Sequence, residues 1–374
     1  FGVADPDTGL STLKRALTPL SFLFLLAGLL GGAPRAAAET PTFTVGWSVY
    51  AGWNPYFYMM KSGLLKKWGD KYGVTIKLQR FDYAASLDSF VANNIDACTM
   101  TNMEALDMPA ASGIDTTALI VGDYSNGNDQ VLVRGNLNFA SLPGTKTMLV
   151  QKTVSEYLLE RGMVLNGQAS KLKSLQLINT SDADIAQAFL NNKSNQAVVT
   201  WKPMVSQILD GDHSTHALFD SSKIPGEILD LLVIRSELLS RKDGSGIRFA
   251  KAITGAWYET MQRFAGSGQL HDQALKVSAD ASGDSLASYE SQLKTTALFE
   301  TPQAAYGFTT GSDLKGKMDL VRKFCFEHGL LGSGATSVDS VGIMFPDFSV
   351  EGQKDHVRLR FNPAYMKAAA DGKL

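Results

Sequence analysis

The stretch FTVGWSVYAGWNPYFYMMKSGLLKKWGDKYGVTIKLQRF, residues 43–81, decides the fold. Its opening, Phe43 to Tyr50, is rich in aromatic and β-branched side chains and predicts a strand. Asn54 to Tyr72 spaces its apolar residues as an amphipathic helix does, with Pro55 in the first turn, where proline is tolerated. Gly73 is a helix stop, and Val74 to Phe81 returns as a strand. Strand, helix and strand in such close succession form the βαβ unit of a parallel sheet.

The same alternation continues outward. A helix is expected over Ala84–Asn93, a strand over Ala97–Thr101, a helix over Met103–Ser112 and a strand over Thr116–Val121. A turn cluster, Asn126-Gly127-Asn128-Asp129, precedes a further strand over Gln130–Arg134. A second set opens after Leu142-Pro143-Gly144, with strands at Thr147–Val150, Leu175–Ile178 and Gln196–Thr200. Its helices are Ser155–Leu165, Asp182–Leu190 and Lys202–Leu209. Ile228–Ile234 is an apolar strand leading back to the first set, and the remainder is mainly helical, above all Ile247–Phe264 and Lys315–His328. Val357–Phe361 alternates as a strand. The fold class is therefore α/β, with two lobes of parallel-rich sheet, helices on both faces and two crossovers. Residues 39–137 and 235–374 are assigned to lobe 1 and residues 138–234 to lobe 2, with the hinge near Arg134–Gly144 and Asp220–Ile234.

The compartment is read from the N-terminal residues. Lys14 and Arg15 precede an apolar run, Leu17 to Leu30, which is followed by Gly31, Gly32, Pro34 and Ala36-Ala37-Ala38. That is the layout of a secretory signal peptide, and the run falls short of the roughly 20 apolar residues of a membrane span. Cleavage after Ala38 is expected, while Phe1 to Gly9 reads as a misplaced start ahead of the leader. The mature chain then has 336 residues with 32 basic and 35 acidic side chains, a net charge of −3. Nucleic acid is a poor partner for such a balance, because phosphate binding needs a basic excess. Only Cys98 and Cys325 are present; both lie in core-like runs and read as separate buried thiols.

Ligands of open parallel sheets sit beyond the carboxyl ends of strands and in clefts between lobes. The loops so placed are 47–53, 101–104, 123–125, 154–156 and 200–202. They carry Tyr50, Trp53 and Trp201, and with less force Trp47, as rings for a planar ligand. Asn102 is a hydrogen-bonding candidate, and Glu104, Asp123 and Glu156 are acidic ones. Three carboxylates around one pocket repel an anion and suit a cation. Acids in the first turn of a helix also serve the macrodipole, so Glu104 and Glu156 have a second, local reading. Asp230, inside an apolar strand, needs either the cleft or a structural arginine.

An ordered set of short motifs runs through the chain: Gly46-Trp-Ser, Trp53-Asn-Pro-Tyr56, Asn94-Ile-Asp-Ala97, Val154-Ser-Glu-Tyr-Leu-Leu159, Ala197-Val-Val-Thr-Trp201-Lys-Pro and Pro225-Gly-Glu-Ile-Leu-Asp-Leu-Leu-Val233. The set resembles the substrate-binding proteins of nitrate/sulfonate/taurine-type ABC importers, most closely the branch associated with urea carboxylase. The resemblance implies the two-lobed periplasmic binding protein fold (type II) and an exported, monomeric protein. Its partners would be a small-molecule cargo and the permease and ATPase subunits at the membrane. The branch implies guanidinium or urea as cargo. Relatives with anionic cargo hold the negative head at a helix N-terminus with Ser or Thr hydroxyls, which places Ser155 in the site by implication. Alternatives are a sulfonate- or nitrate-like anion, a sensor, or a pyrimidine-precursor synthase-like enzyme of the same fold.

Catalytic constellations are thin, and neither cofactor nor metal is expected. Gly311 to Lys317 spells a phosphate-loop spacing, but Met318 stands where Ser or Thr would meet magnesium. His213 and His216 share a polar turn with Asp210 and Asp212, too few ligands for a metal-centred function.

Overall fold

The computed structural model describes residues Glu39 to Leu374. The expected signal peptide, residues 1–38, lies outside the described residues. The larger of two sheets contains β1 (Thr42–Trp47), β2 (Thr75–Arg80), β3 (Ala97–Thr101) and β4 (Thr116–Ser125). The chain then enters the smaller sheet with β5 (Gln130–Arg134), β6 (Lys146–Leu149), β7 (Gln176–Asn179), β8 (Ala197–Thr200) and β9 (Thr215–Asp220). It returns with β10 (Leu229–Arg235) and completes the large sheet with β11 (Thr296–Leu298), β12 (Gly342–Met344), β13 (Val350–Glu351) and β14 (Val357–Phe361).

The strand order of the large sheet is β13-β12-β14-β4-β10-β3-β1-β2, with β11 beside the end of β4, and that of the small sheet is β7-β6-β8-β5-β9. Parallel pairs dominate where helices cross over, as between β1 and β2 or β6 and β7. The strands that carry the chain between lobes, β5 and β10, pair antiparallel with their neighbours. No crossover helix intervenes at the lobe junction, so nothing turns the chain back to a parallel direction. The chain passes from one sheet to the other between β4 and β5, before the expected segment 134–144, and between β9 and β10, within the expected segment 220–234. β5 belongs to the smaller sheet and β10 to the larger. The two junctions bond to each other: Ser125 Oγ and Ser221 Oγ are 2.7 Å apart, and the Gly127 N–H donates to Ser221 Oγ at 2.7 Å.

The helices are α1 (Asn54–Lys61), α2 (Leu64–Tyr72), α3 (Tyr83–Val91), α4 (Asn102–Ala105), α5 (Val154–Leu165), α6 (Ile185–Asn191), α7 (Met204–Gly211), α8 (Ser245–Phe264), α9 (Gln269–Ser282), α10 (Leu286–Leu293), α11 (Pro302–Thr310), α12 (Asp313–Glu327) and α13 (Ala364–Ala370). The single helix expected over residues 54–72 is two, because Gly63 takes a left-handed φ of 79° between them. The helix expected at Met103–Ser112 begins as α4 and widens into a single π-type turn, Leu106–Ala110, around Pro109. Among the described residues no helix is long and apolar enough to cross a membrane.

Burial follows the layers. Leu229, Leu231, Leu232, Val233 and Ile234 of β10 are all buried, since helices cover both faces of this central strand. α8 packs against α2, where a Cβ on Gly255 would come within 2.3 Å of the Trp68 ring, so only glycine admits that indole. Leu132, Met148, Ile185, Phe189 and Val198 make a core under the smaller sheet. Cys98 and Cys325 are both free and buried. Gly311–Lys317 follows a helix, α11, and not the strand a phosphate loop requires. Asp212, beside the paired histidines, is bound to Arg134 Nε at 2.6 Å and Lys193 at 3.0 Å, which gives it a structural task.

Candidate functional site

Between the two sheets lies a small, partly open cavity. Tyr50, Trp53 and Tyr83 of the large lobe and Trp201 of the small lobe form its aromatic wall. Tyr50 and Trp53 meet edge to face at 5.2 Å, Trp53 and Tyr83 lie 5.4 Å apart, and Tyr83 meets Trp201 at 6.0 Å across the cleft. The loop after β1 holds the first two rings: the Trp53 and Asn54 N–H groups both donate to the Tyr50 carbonyl at 2.9 Å, and α1 starts there. Trp201 follows the last residue of β8. Val154 and Ile228 supply the apolar remainder, and Thr101, Asp129 and Asp230 the polar part.

The acidic side arises from strand pairing. In the large sheet Asp230 of β10 is paired with Thr101 of β3 on one side and with Asp123 of β4 on the other. Directly paired residues project to one face of a sheet, so the row Thr101, Asp230, Asp123 is a single polar stripe. Asp123 is wholly buried and accepts from Tyr50 Oη at 3.2 Å through Oδ1. A Cβ on Gly52 would stand 2.1 Å from Asp123 Oδ2, so the glycine lets the β1–α1 loop close over this carboxyl. Asp129 arrives from the junction between lobes, with its N–H donating to Ser125 Oγ at 3.2 Å and its carbonyl accepting from Ser221 N–H at 3.0 Å.

Among the described residues lining the cavity none is basic. Burial pushes the Asp123 carboxyl up to about 7 and that of Asp129 up to about 7. Asp230 rises well above the usual carboxylate range, through burial first and then the charges of Asp123 and Asp129. Asp123 Oδ2, Asp230 Oδ2 and the Trp53 indole N–H have no hydrogen-bond partner among the described residues. Asp123 and Asp230, one of them protonated, can share a hydrogen bond, which leaves the Trp53 indole N–H as the buried donor facing an acceptor from outside the protein.

Tyr50, Trp53 and Trp201 thus stand on the cavity wall, and Asp123 stands behind Tyr50 and Asp230. The other sequence candidates do not line the cavity. Asn102 straps the start of β10, donating to the Glu227 carbonyl and accepting from Leu229 N–H, both at 3.0 Å. Glu156 turns toward its own helix start, where Oε2 accepts from Lys152 N–H at 2.7 Å. Ser155 is buried at the N-terminus of α5, its Oγ without a partner among the described residues. Glu104 reaches across the cleft to that same helix end, accepting from Val154 N–H at 3.1 Å. Sequence reasoning passed over Tyr83, which precedes the helix expected from Ala84, and Asp129, which sits in a turn cluster; of the two places open to Asp230, the cleft is where it lies. Its place in an otherwise apolar strand was the available signal.

Further bonds hold the lobes closed. Glu227 accepts from Tyr157 Oη at 2.6 Å and from Arg161 at 2.8 and 3.0 Å. At the end of α12, His328 Nε2 lies 2.9 Å from Glu160 Oε1 on α5. The bond to Glu160 raises the imidazole to about 9 against the opposing effect of burial, with help from the Phe324 carbonyl. A folded value above the unfolded one, near 6.5, adds stability that is complete below the unfolded value and vanishes as pH rises through about 9. The melting temperature is accordingly expected to fall between pH 7 and 10 (about the span of that titration), and less so in Glu160→Gln. Equal slopes in the two proteins would remove His328 from the account.

No family model matches the sequence, and no curated protein matches it. Solved structures do share its fold. The periplasmic aliphatic sulphonate binding protein SsuA of Escherichia coli superposes with a TM-score of 0.63 at 16% identity, covering 78% of this chain and 94% of that one. The alkanesulfonate-binding protein SsuA of Xanthomonas axonopodis pv. citri, bound to MOPS, gives 0.61 at 16% identity, with 79% and 96% covered. A ligand binding component of an ABC-type import system from Staphylococcus aureus gives 0.58 at 13% identity, with 88% and 99% covered. The chain has the periplasmic binding protein fold, as expected from its pattern of elements.

Proposed function

We propose that this chain is the exported solute-binding component of an ABC importer, and that its cargo is a small planar nitrogen cation, guanidinium ahead of urea. One observation carries the cargo reading: Asp129 and Asp230, with Asp123 directly behind Asp230, stand at a cavity walled by four aromatic rings, with no basic side chain on the wall. Burial holds these carboxyl groups protonated in the empty cavity, and in their ionised form they attract a cation and repel an anion. Guanidinium is planar, stacks on aromatic faces and pairs bidentately with a carboxylate. Urea has the same outline, and its carbonyl suits the bare indole N–H of Trp53. The ranking follows from strength, because hydrogen bonds to ionised groups are about twice as strong as neutral ones.

The structural relatives named for sulfonates support import as the task; the charge of this site supports the opposite sign of cargo. A sulfonate or nitrate would find no basic partner on the wall and would oppose the ionisation of these aspartates, whereas a cation favours it. Export, membrane partners and a monomeric state fit the N-terminal sequence and the fold. Calorimetry on ligand-stripped protein with guanidinium, urea, nitrate and taurine tests the order. Heat with guanidinium, less with urea and none with either anion is expected. Tight taurine or nitrate binding with no response to guanidinium would end the cation reading and leave the import reading standing.

A further inference from the structure

Thr101-Asn102-Met103-Glu104 has the spacing of a capping box, in which the glutamate folds back onto the N–H of the N-cap threonine. Here that N–H is already taken: it donates to Tyr83 Oη at 3.1 Å. The Glu104 carboxylate is thereby released from its own helix. One oxygen accepts from Tyr83 Oη at 3.1 Å and from the Thr101 hydroxyl; the other crosses the cleft to Val154 N–H. Val154 is the first residue of the twelve-residue helix α5, and Glu104 is only 1% exposed.

The start of a helix favours an anion by partial charge and by hydrogen bonding. At α5 the N-cap Thr153 takes the Ser155 N–H at 3.2 Å, so the Val154 N–H is the one that an anion meets. The hydroxyl of Ser155, itself 1% exposed, also stands there without a partner among the described residues. The protein thus brings its own carboxylate to the place where a free anion would bind. We infer that Glu104 is a built-in anion, which latches the small lobe to the large one and bars anionic cargo from the N-terminus of α5. The inference rests on the reading of the chain as a lobed binding protein. The latch is tied to cargo because Tyr83 and Thr101, its partners in the large lobe, both line the cavity. Glu104 acts as a positioning and specificity-determining residue and does not itself line the cavity.

Two variants test this. In Glu104→Ala the helix end is vacated, so sulfate and nitrate should bind at least about tenfold more tightly than to the parent, the change expected from one charge-assisted contact. The same protein without cargo should scatter X-rays as a larger particle. In Glu104→Gln an amide oxygen of the same size still meets Val154 N–H, so anions stay excluded, while guanidinium affinity falls by about 3- to 10-fold through the weaker latch. The expectation for Ser155→Ala combined with Glu104→Ala is loss of the acquired anion binding. Folded Glu104→Ala that binds no sulfate or nitrate and scatters like the parent overturns the inference. If Glu104→Ala does not fold, unchanged scattering and unchanged guanidinium binding in Glu104→Gln overturn it. Should the parent bind no guanidinium, the cargo assignment fails alone, since anion gain and cargo-free scattering still report on the latch.

Discussion

In Asp230→Asn protein, guanidinium binding is expected to weaken by about 1.5–3 kcal/mol, roughly 10- to 150-fold, the worth of a hydrogen bond to a charged group. The cargo-free protein is expected to melt no lower than the parent. Both halves of this expectation come from the same geometry. Asp230 faces Asp123 across paired strands, lies on the cavity wall, and is held far above the usual carboxylate range by burial and by its acidic neighbours. A carboxyl held protonated in this way forms no ion pair in the empty protein, and an amide of the same size replaces it at no loss of packing volume. Once a cation is present, the same carboxylate becomes its partner, and its removal leaves that cation short of an acceptor. Asp123→Asn should act in the same direction, and the double variant should lose less than the two losses combined, because the residues share one ligand. A structural aspartate behaves otherwise: its asparagine variant lowers the melting temperature and leaves affinity for cargo nearly unchanged. Titration calorimetry beside thermal melts separates the two patterns, and the structural pattern at Asp230 would refute the cation site.

Guanidinium affinity is also expected to climb by about tenfold or more between pH 5.5 and 7.5, with protons released on binding. Asp123 and Asp129 are pushed up to about 7 by burial, so below that value the empty cavity holds neutral carboxyl groups. A cation binds the ionised form, and each proton it must expel contributes up to one decade of affinity per pH unit. For the empty protein the sign reverses. The folded values exceed the unfolded ones, near 3.9, so these groups add stability below the unfolded value and lose it as pH rises through about 7. Saturating cargo should therefore raise the melting temperature more at pH 8 than at pH 5.5. Calorimetry in buffers of differing ionisation heat counts the released protons. A flat affinity across this range, or no buffer dependence, contradicts a site built on protonated aspartates. The His328–Glu160 contact acts at higher pH, through about 9, and does not line the cavity.

Much of this was legible in the chain itself. The alternation of strands and helices from Phe43 onward follows from periods of two and 3.6, which are local properties, and it specified an α/β protein with two sheets. The same pattern marks the loops after β1 and β8 as cleft-facing, and so Tyr50, Trp53 and Trp201 could be singled out. Local pattern also explains the errors. Asn126 to Asp129 has the composition of any turn, and nothing nearby in sequence distinguishes a turn that joins two lobes at a cavity.

Glu104 shows the limit most directly. Its spacing from Thr101 is that of a capping box, yet Tyr83, from another helix, takes the N–H that the glutamate would have used, and the carboxylate turns to Val154 instead. The acidic row is decided the same way. Thr101, Asp230 and Asp123 become neighbours only because β10 inserts antiparallel between β3 and β4 in one register. A shift of that register by one residue would turn Asp230 to the opposite face. Sequence by itself determined which segments are strands and helices, and which residues carry charge and rings. Tertiary structure alone decided which of those charges share a face, because pairing between distant strands is set by the packing of the whole core.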